Sequence, residues 1–272
     1  MPVYPSGLVL LILLCVPLVA YYTHSLSLSG LIGALGVGAT IYLAGGWRWF
    51  MLLLSFFVSA TLLSHLTTTG KGKAVIHLEK GKRRDLFQVL ANGGVAALAT
   101  LAYGFTGRDA CFLAFLGSLS TVNADTWATE IGLLNPSPPR SLLSGKPVPP
   151  GTSGAISLLG TLASGAGALF IGMMALVLQP FTLQSYPPSL LLLLSGVSGG
   201  AGSLLDSLLG ATMQRLYHCP TCQVSTERPV HLCGTVTSHV RGYTWVNNDV
   251  VNLVSALGGA VLAPLLATLL SQ

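Results

Sequence analysis

The sequence predicts an all-α, polytopic transmembrane bundle of about eight spans, and three observations predict it. Of 272 residues, 51% are hydrophobic and only 8% charged, against roughly 25% charged in an ordinary soluble domain. The stretches 1–47, 49–70, 86–107, 147–205 and 250–272 contain no Asp, Glu, Lys or Arg, and one span needs about 20 apolar residues. Runs such as GLVLLILL and LLLLLSG are continuous, whereas barrel strands alternate polar and apolar positions.

The spans fall at about 7–22, 28–45, 48–65, 86–105, 109–127, 155–178, 189–211 and 249–270, within one membrane domain covering 1–272. No Lys or Arg precedes the first, and CVPLVAYY lacks the small-residue pattern of a signal-peptidase site, so that span is expected to be retained. The helices within 1–66 are apolar nearly all round and read as scaffold, with Gly33 and Gly36 permitting close packing. From 67 to 272 the helices carry polar stripes at helical spacing. Asp85, Gln88 and Asn92 enter the fourth span. Ser153, Ser157, Gly160 and Ser164 mark the sixth, Ser195, Gly199, Gly202 and Asp206 the seventh, and Asn248, Asn252, Ser255 and Gly259 the eighth. The Ser and Gly positions are ordinary glue between membrane helices. Asp206, Asn92 and Asn252 ask for more, since an ionisable group at depth costs about 2.5–3.5 kcal/mol and usually faces a partner or a wet cavity.

With eight spans, one side carries Lys71, Lys73, Lys80, Lys82, Arg83, Arg84, Arg140, Lys146, Arg215, Arg228 and Arg241, and the other only Arg48 and Arg108, which accounts for all 13 basic residues. Lys and Arg accumulate in cytoplasmic loops. The long loops and the active face are therefore expected in the cytoplasm and both termini on the opposite side. The net charge of +5 is concentrated on one face, which fits topology and anionic lipid as well as a polyanionic substrate. An internal echo, GSLSTVNADT at 117–126 and GSLLDS at 202–207, suits either a repeat or chance between Gly, Ser and Leu-rich helices.

The stretch DTWATEIG, 125–132, sets two of the eight acidic residues at the end of the fifth span. Asp125 and Glu130 are about 140° apart on a regular helix, so either the helix loosens near Gly132, ahead of NPSPPR, or the two acids have different jobs. Asp125 is a candidate Mg²⁺ ligand, with Asp206 as a second carboxylate and Glu130 as a third, because Mg²⁺ takes one or two carboxylates and lets substrate phosphates supply the rest. The alternative is that the acids pair with nearby basic residues. The following loop brings Arg140 and Lys146, then Gly151, Thr152, Ser153 and Gly154 opening the sixth helix. Free backbone N–H groups and a positive dipole end there suit a phosphate, although Thr152 or Ser153 also serves as an ordinary N-cap. The cluster Lys82, Arg83, Arg84 ahead of Asn92 is by default a positive-inside anchor, and can also guide a phosphorylated substrate. In HCPTCQVSTERPVHLC, 218–233, Cys219, Cys222, His231 and Cys233 have the spacing of a structural tetrahedral Zn²⁺ site, with His218 as a competing ligand. Cys15 and Cys111 lie in spans as packing residues.

QVLANG (88–93), ADTWATEIG (124–132), GKPVPPGTSGAIS (145–157), LLDSLLGATMQ (204–214) and NNDVVN (247–252) together resemble the membrane family that includes plant phytyl phosphate kinase and the animal transmembrane protein 19. More distantly they resemble the phytol and dolichol kinases and the CDP-diacylglycerol synthases, whose Asp, Lys and Gly-Ser motifs correspond to Asp125, Lys146 and Gly151 to Ser153. The resemblance implies an integral membrane phosphotransferase that makes a prenyl diphosphate from the monophosphate and a nucleoside triphosphate, CTP being favoured. Asp125 and Asp206 would then hold Mg²⁺, Lys146 and Arg140 would neutralise charge on the transferred group, and Asn92, Gly151, Thr152, Ser153, Asn248 and Asn252 would line the nucleotide and phosphate sites. Expected partners are an isoprenoid phosphate, a nucleotide and the bilayer, not nucleic acid. A small-molecule transporter is the rival reading, since it uses the same polar stripes. It accounts less well for Arg140, Lys146 and the GTSG turn crowding one face.

Overall fold

The computed structural model of the chain describes residues 6–67, 83–178 and 186–270. Within them lie eight helices: α1 (Ser6–Tyr22), α2 (Leu28–Gly45), α3 (Trp47–Leu66), α4 (Leu86–Thr106), α5 (Asp109–Gly132), α6 (Leu158–Leu178), α7 (Pro188–Thr212) and α8 (Asn248–Leu270). Six of these, α2, α3, α4, α6, α7 and α8, are long and apolar enough to cross a membrane. Helix α1 is apolar but shorter, with 17 residues, and α5 carries Asp109, Asp125 and Glu130. The expected basic residues Lys71, Lys73, Lys80 and Lys82 lie outside the described residues.

Two boundaries differ from those expected. Helix α5 continues past 127 to Gly132, and ends where Asn135 precedes Pro136, a residue pair that disfavours helix. Helix α6 begins at Leu158, because the chain before it is extended: β1 (Arg140–Ser141) pairs antiparallel with β2 (Ala155–Ile156). The Ser157 hydroxyl caps α6 by accepting from the Gly160 N–H at 3.1 Å. Between α7 and α8 a three-stranded sheet forms from β3 (Leu216–Cys219), β4 (Val224–Thr226) and β5 (Ser238–Arg241), with β3 in the middle.

Helix α5 is central, packing against α3, α4, α6, α7 and α8. At one end its Phe112 and Phe115 meet Trp49 of α3, with ring centroids 4.8 and 4.9 Å apart. In its middle, polar side chains are matched to neighbours. Asn123 donates to the Gly167 carbonyl of α6 at 2.6 Å and accepts from Ser59 of α3 at 3.0 Å, and Ser120 shares a 2.6 Å hydrogen bond with Ser195 of α7. Thr121 donates to the Ser198 carbonyl at 3.1 Å and sits between Gly202 of α7 and Gly259 of α8. A Cβ on Gly202 would come within 2.2 Å of the Thr121 Oγ1, and one on Gly259 within 2.1 Å.

The opposite end gathers the polar segments. There the α1–α2 turn bridges to the start of α4 through Leu26 and Arg84, Thr67 after α3 meets Glu130 of α5, Gly154 abuts Ala211 of α7, and the Arg215 N–H bonds the Val246 carbonyl just before α8.

Substituting Gly259→Val is expected to destabilise the detergent-solubilised protein by about 1–3 kcal/mol, the usual range for overpacking. Gly165→Ala, where the added methyl meets nothing within 4 Å, is expected to leave thermal unfolding unchanged or slightly raised; comparing the two unfolding temperatures checks this.

Candidate active site

Because α5 is unbroken through Gly132, Asp125 and Glu130 leave it on different sides. Glu130 is 9% exposed, accepts a hydrogen bond from the Thr67 hydroxyl at 2.5 Å, and lies in the electrostatic range of Arg84. Burial pushes the Arg84 pKa down from its ordinary value, and the Glu130 charge opposes that. Asp125 lies one turn beyond Thr121, on the side of α5 that meets α7 and α8. There negative charge from Asp125 and Glu227 converges on Asp206 of α7. Asp206 accepts from the Ser255 hydroxyl of α8 at 3.0 Å. Among the described residues, Asp125 receives no hydrogen bond, and no basic side chain pairs with either aspartate. Asp125 and Asp206 are thus brought together, and Glu130 stands apart from them.

Glu227 was not among the residues expected here. It follows β4 in the loop that carries the cysteines, is 5% exposed, and takes a short hydrogen bond from the Ser153 hydroxyl. Its signal in the sequence was rarity, since it is one of eight acidic residues in the whole chain. The Ser153–Glu227 contact ties the loop before α6 to the loop before α8.

Residues 139–156 fold back on themselves: the Ser141 N–H bonds the Lys146 carbonyl at 2.9 Å and the Leu142 N–H bonds the Gly154 carbonyl at 3.2 Å. Arg140 is exposed and donates to the Gly145 carbonyl at 2.9 Å; Lys146 is exposed at the tip. Gly151 and Gly154 adopt φ of +85° and +74°, and Thr152 donates to the Pro149 carbonyl at 2.7 Å. The Gly151 to Gly154 segment is therefore a turn upstream of β2 and does not open α6, and the N-cap is Ser157 instead of Thr152 or Ser153. Gly154 packs on α7 at Gly210 and Ala211, one turn beyond Asp206. Asn252 of α8 donates to Asn92 of α4 at 3.3 Å, while Asn92 also donates to the Gln88 carbonyl at 2.9 Å. Asn248 is the first residue of α8, half-buried, and neighbouring Asn247 supplies the cap by accepting from the Val250 N–H at 3.0 Å.

Cys219, Cys222, His231 and Cys233 place their ligand atoms within 4.8 Å of one another. The Cys219 and Cys233 sulfurs are 3.6 Å apart, His231 Nδ1 is 3.2 Å from the Cys233 sulfur, and the Cys222 N–H points at the Cys219 sulfur at 3.5 Å. Three thiols and an imidazole can bind a metal such as zinc, and the donor set is that of a closed structural site. His218 turns instead to Gln223, at 3.3 Å. Hydrogen bonds with Thr235 and His231 lower the Cys233 pKa to about 5, whereas hydrogen bonding to Cys233 and burial raise that of Cys222 to about 11.

A helical bundle with paired carboxylates inside one end, capped by a metal-capable loop, defines a multi-pass membrane protein with a polar site at its loop-bearing face. The chain belongs to the family described as integral membrane protein DUF92, which matches residues 11–260. It is 32% identical over 257 residues to Protein PGR of Arabidopsis thaliana, covering 88% of each chain. It is 31% identical over 214 residues to an uncharacterized membrane protein of Methanocaldococcus jannaschii, covering 76% of this chain and 82% of the other. It is 28% identical over 252 residues to the chloroplastic Protein VTE6 of Arabidopsis thaliana, covering 91% of this chain and 67% of that one. No solved structure matches.

Purified protein is expected to carry about one zinc per chain by elemental analysis, the stoichiometry of a closed four-ligand site. Cys219→Ser is expected to lose it. The ligands bind as thiolates and neutral imidazole, so zinc is expected to be retained at neutral pH and to be released on acidification as protons compete for them.

Proposed function

We propose that the protein is a membrane-embedded prenyl monophosphate kinase, of the phytyl type, that makes the diphosphate from a nucleoside triphosphate, with CTP the favoured donor. The observation that carries this reading is the pair Asp125 and Asp206, two carboxylates from different helices near enough to repel each other inside the bundle, with no basic side chain paired to either among the described residues. Two such carboxylates are unfavourable as a pair of bare anions and are relieved by a shared proton or by a bound cation. Asp125, which receives no hydrogen bond among the described residues, and Asp206, with one from Ser255, offer hard oxygens suited to Mg²⁺. A bound Mg²⁺ would neutralise donor phosphates during transfer. The resemblance of QVLANG, ADTWATEIG and NNDVVN to the family containing plant phytyl phosphate kinase supplies the reaction class.

In the reaction an oxygen of the prenyl phosphate attacks the γ-phosphorus of the nucleotide, and the bond from that phosphorus to the β–γ bridging oxygen breaks. The acceptor is its own nucleophile, so the chain need supply only position and charge. Asp125 and Asp206 would hold Mg²⁺, which would neutralise the donor phosphates, and the hydrogen bond from Ser255 orients the Asp206 carboxylate. Glu227 extends the acidic wall, and Ser153 and the Gly151–Gly154 turn lie beside it, within reach of phosphate oxygens. Lys146 and Arg140, exposed on the same loop, meet the outer phosphates of an entering nucleotide. Asn92 and Asn252 close the inner side. Cys219, Cys222, His231 and Cys233 would hold zinc in a structural part, bracing the loop that carries Glu227. Glu130, bonded to Thr67, anchors the end of α5.

Incubation with phytyl monophosphate, Mg²⁺ and each nucleoside triphosphate is expected to yield phytyl diphosphate. Asp125→Asn and Asp206→Asn are each expected to lower kcat by at least about 100-fold, in keeping with loss of a metal-phosphate clamp. Full activity in either variant would overturn the metal assignment, and no product with any donor from folded protein would favour a carrier. Stripping zinc, or Cys219→Ser, is expected to reduce turnover while leaving the helical content by circular dichroism unchanged.

A further inference from the structure

A second feature lies outside the carboxylate pair. Helices α1 to α4 enclose a cavity of about 90 Å³, against the roughly 10–15 Å³ that one water needs. Leu13 of α1, Val37 of α2, and Phe50, Leu53 and Phe57 of α3 give it hydrocarbon walls. Its polar residues are Arg84, Gln88, Asn92 and Thr126. The first three recur every four residues along one side of the chain entering α4.

Three of these four are already committed. Gln88 accepts from the Asp85 N–H at 3.1 Å in a capping box, Asn92 bonds Asn252 and the Gln88 carbonyl, and Thr126 donates to the Val122 carbonyl at 2.8 Å. Arg84 is the exception. Among the described residues its guanidinium makes no hydrogen bond and lies 5.9 Å over the Phe57 ring, while Glu130, whose charge acts on it, takes a hydrogen bond from Thr67. Its backbone, by contrast, is fixed: the Arg84 N–H bonds the Ser25 carbonyl and its own carbonyl accepts from the Ser27 N–H, both at 3.0 Å. The chain passes so close to α2 that a Cβ on Gly30 would lie 2.1 Å from the Arg84 carbonyl oxygen. A rigidly mounted fork of N–H donors at the mouth of a hydrocarbon cavity suits an amphiphile with an apolar chain and a phosphate head.

We propose that this cavity receives the first part of the acceptor's hydrocarbon chain and that Arg84 grips the phosphate of a linear isoprenoid monophosphate. The inference rests on the kinase reading and adds the acceptor subsite to it. Two contacts join the subsite to the carboxylates. Asn92, on the cavity wall, bonds Asn252; one turn along α8 from Asn252, Ser255 bonds Asp206. Thr126, also on the wall, directly follows Asp125. A phosphate held by Arg84 therefore lies between the hydrocarbon cavity and the site where the donor binds. From Phe57 to Phe50 the cavity follows α3 for about 10 Å at 1.5 Å per residue, so it takes the head-proximal units of a chain whose remainder stays in the bilayer.

The test is direct binding and turnover with farnesyl monophosphate, farnesol and phosphatidic acid as probes. Native mass spectrometry of the detergent-solubilised protein is expected to show farnesyl monophosphate bound, and farnesol bound at least tenfold more weakly. Arg84→Gln is expected to weaken that binding and to raise KM for the prenyl phosphate at least tenfold, with KM for the nucleotide unchanged and Arg84→Lys intermediate. Ala34→Phe, on the cavity wall at α2, is expected to weaken farnesyl monophosphate but spare isopentenyl monophosphate, which also shows that the variant is folded. Diphosphate formation with binding and KM unaltered in Arg84→Gln would overturn the subsite and leave the kinase standing. Arg84-dependent binding without any turnover would overturn the kinase and retain an isoprenoid phosphate site. Phosphatidic acid binding as tightly as farnesyl monophosphate, with the same Arg84 dependence, would overturn the substrate assignment in favour of a structural bilayer lipid.

Discussion

The loop-bearing end of the protein depends on how closely α5 approaches α7 and α8 at Thr121. In a bilayer, apolar side chains gain little by leaving lipid for each other, so helix association rests on close packing and interhelical hydrogen bonds. Thr121 fills the space that a methyl group on Gly202 or Gly259 would claim and hydrogen-bonds the Ser198 carbonyl. One turn further on, the same three helices present Asp125, Asp206 and Ser255. The separation of the two aspartates is therefore set by a layer of small residues beneath them. The same closeness lets Asn123 and Ser120 satisfy their hydrogen-bonding groups in neighbouring helices, which makes so polar a helix tolerable at the centre of the bundle.

The eight helices were legible because charge is nearly absent from them and concentrated between them. Where the chain leaves the membrane that signal fails. The small sheets between α5 and α6 and between α7 and α8 are built from strands of two to four residues, too short to show an alternation. The start of α6 was misplaced because Gly151 to Gly154 looks like a helix opening, while two positive-φ glycines and the pairing of Arg140 with Ile156 make it a turn and strand. Asp125 and Asp206 stood out as acids in apolar helices, and their convergence is a matter of helix phase. Glu130, about 140° from Asp125 on a regular helix, could join it only if α5 loosened near Gly132; α5 is continuous, and Glu130 bonds Thr67 instead. Glu227 was hidden among conspicuous cysteines, and Arg84 within a basic cluster that topology alone accounts for. The cavity between α1 and α4 could not be read at all, since walls of Leu, Val and Phe look the same in sequence whether they meet lipid, protein or empty space.

The described residues divide the labour between membrane and loops. The helices supply the carboxylates and the cavity with Arg84 at its mouth. The two folded loops lie at that end and are joined by the Ser153–Glu227 hydrogen bond, which ties the Gly151 to Gly154 turn to the loop that carries Cys219, Cys222, His231 and Cys233.

The composition of α5 also bears on the order in which the chain is assembled. As α5 emerges during synthesis it is the least persuasive of the long helices as a membrane segment, with three acidic residues and its hydrogen-bonding side chains still without α6, α7 or α8. Most of those side chains gain their partners only when the later helices follow, above all α7 and α8 with their matching glycines. The centre of the protein is consequently secured from its C-terminal side, and a chain interrupted before α8 would leave Asp125 and its neighbours presented to the insertion and quality-control machinery as an unfinished span.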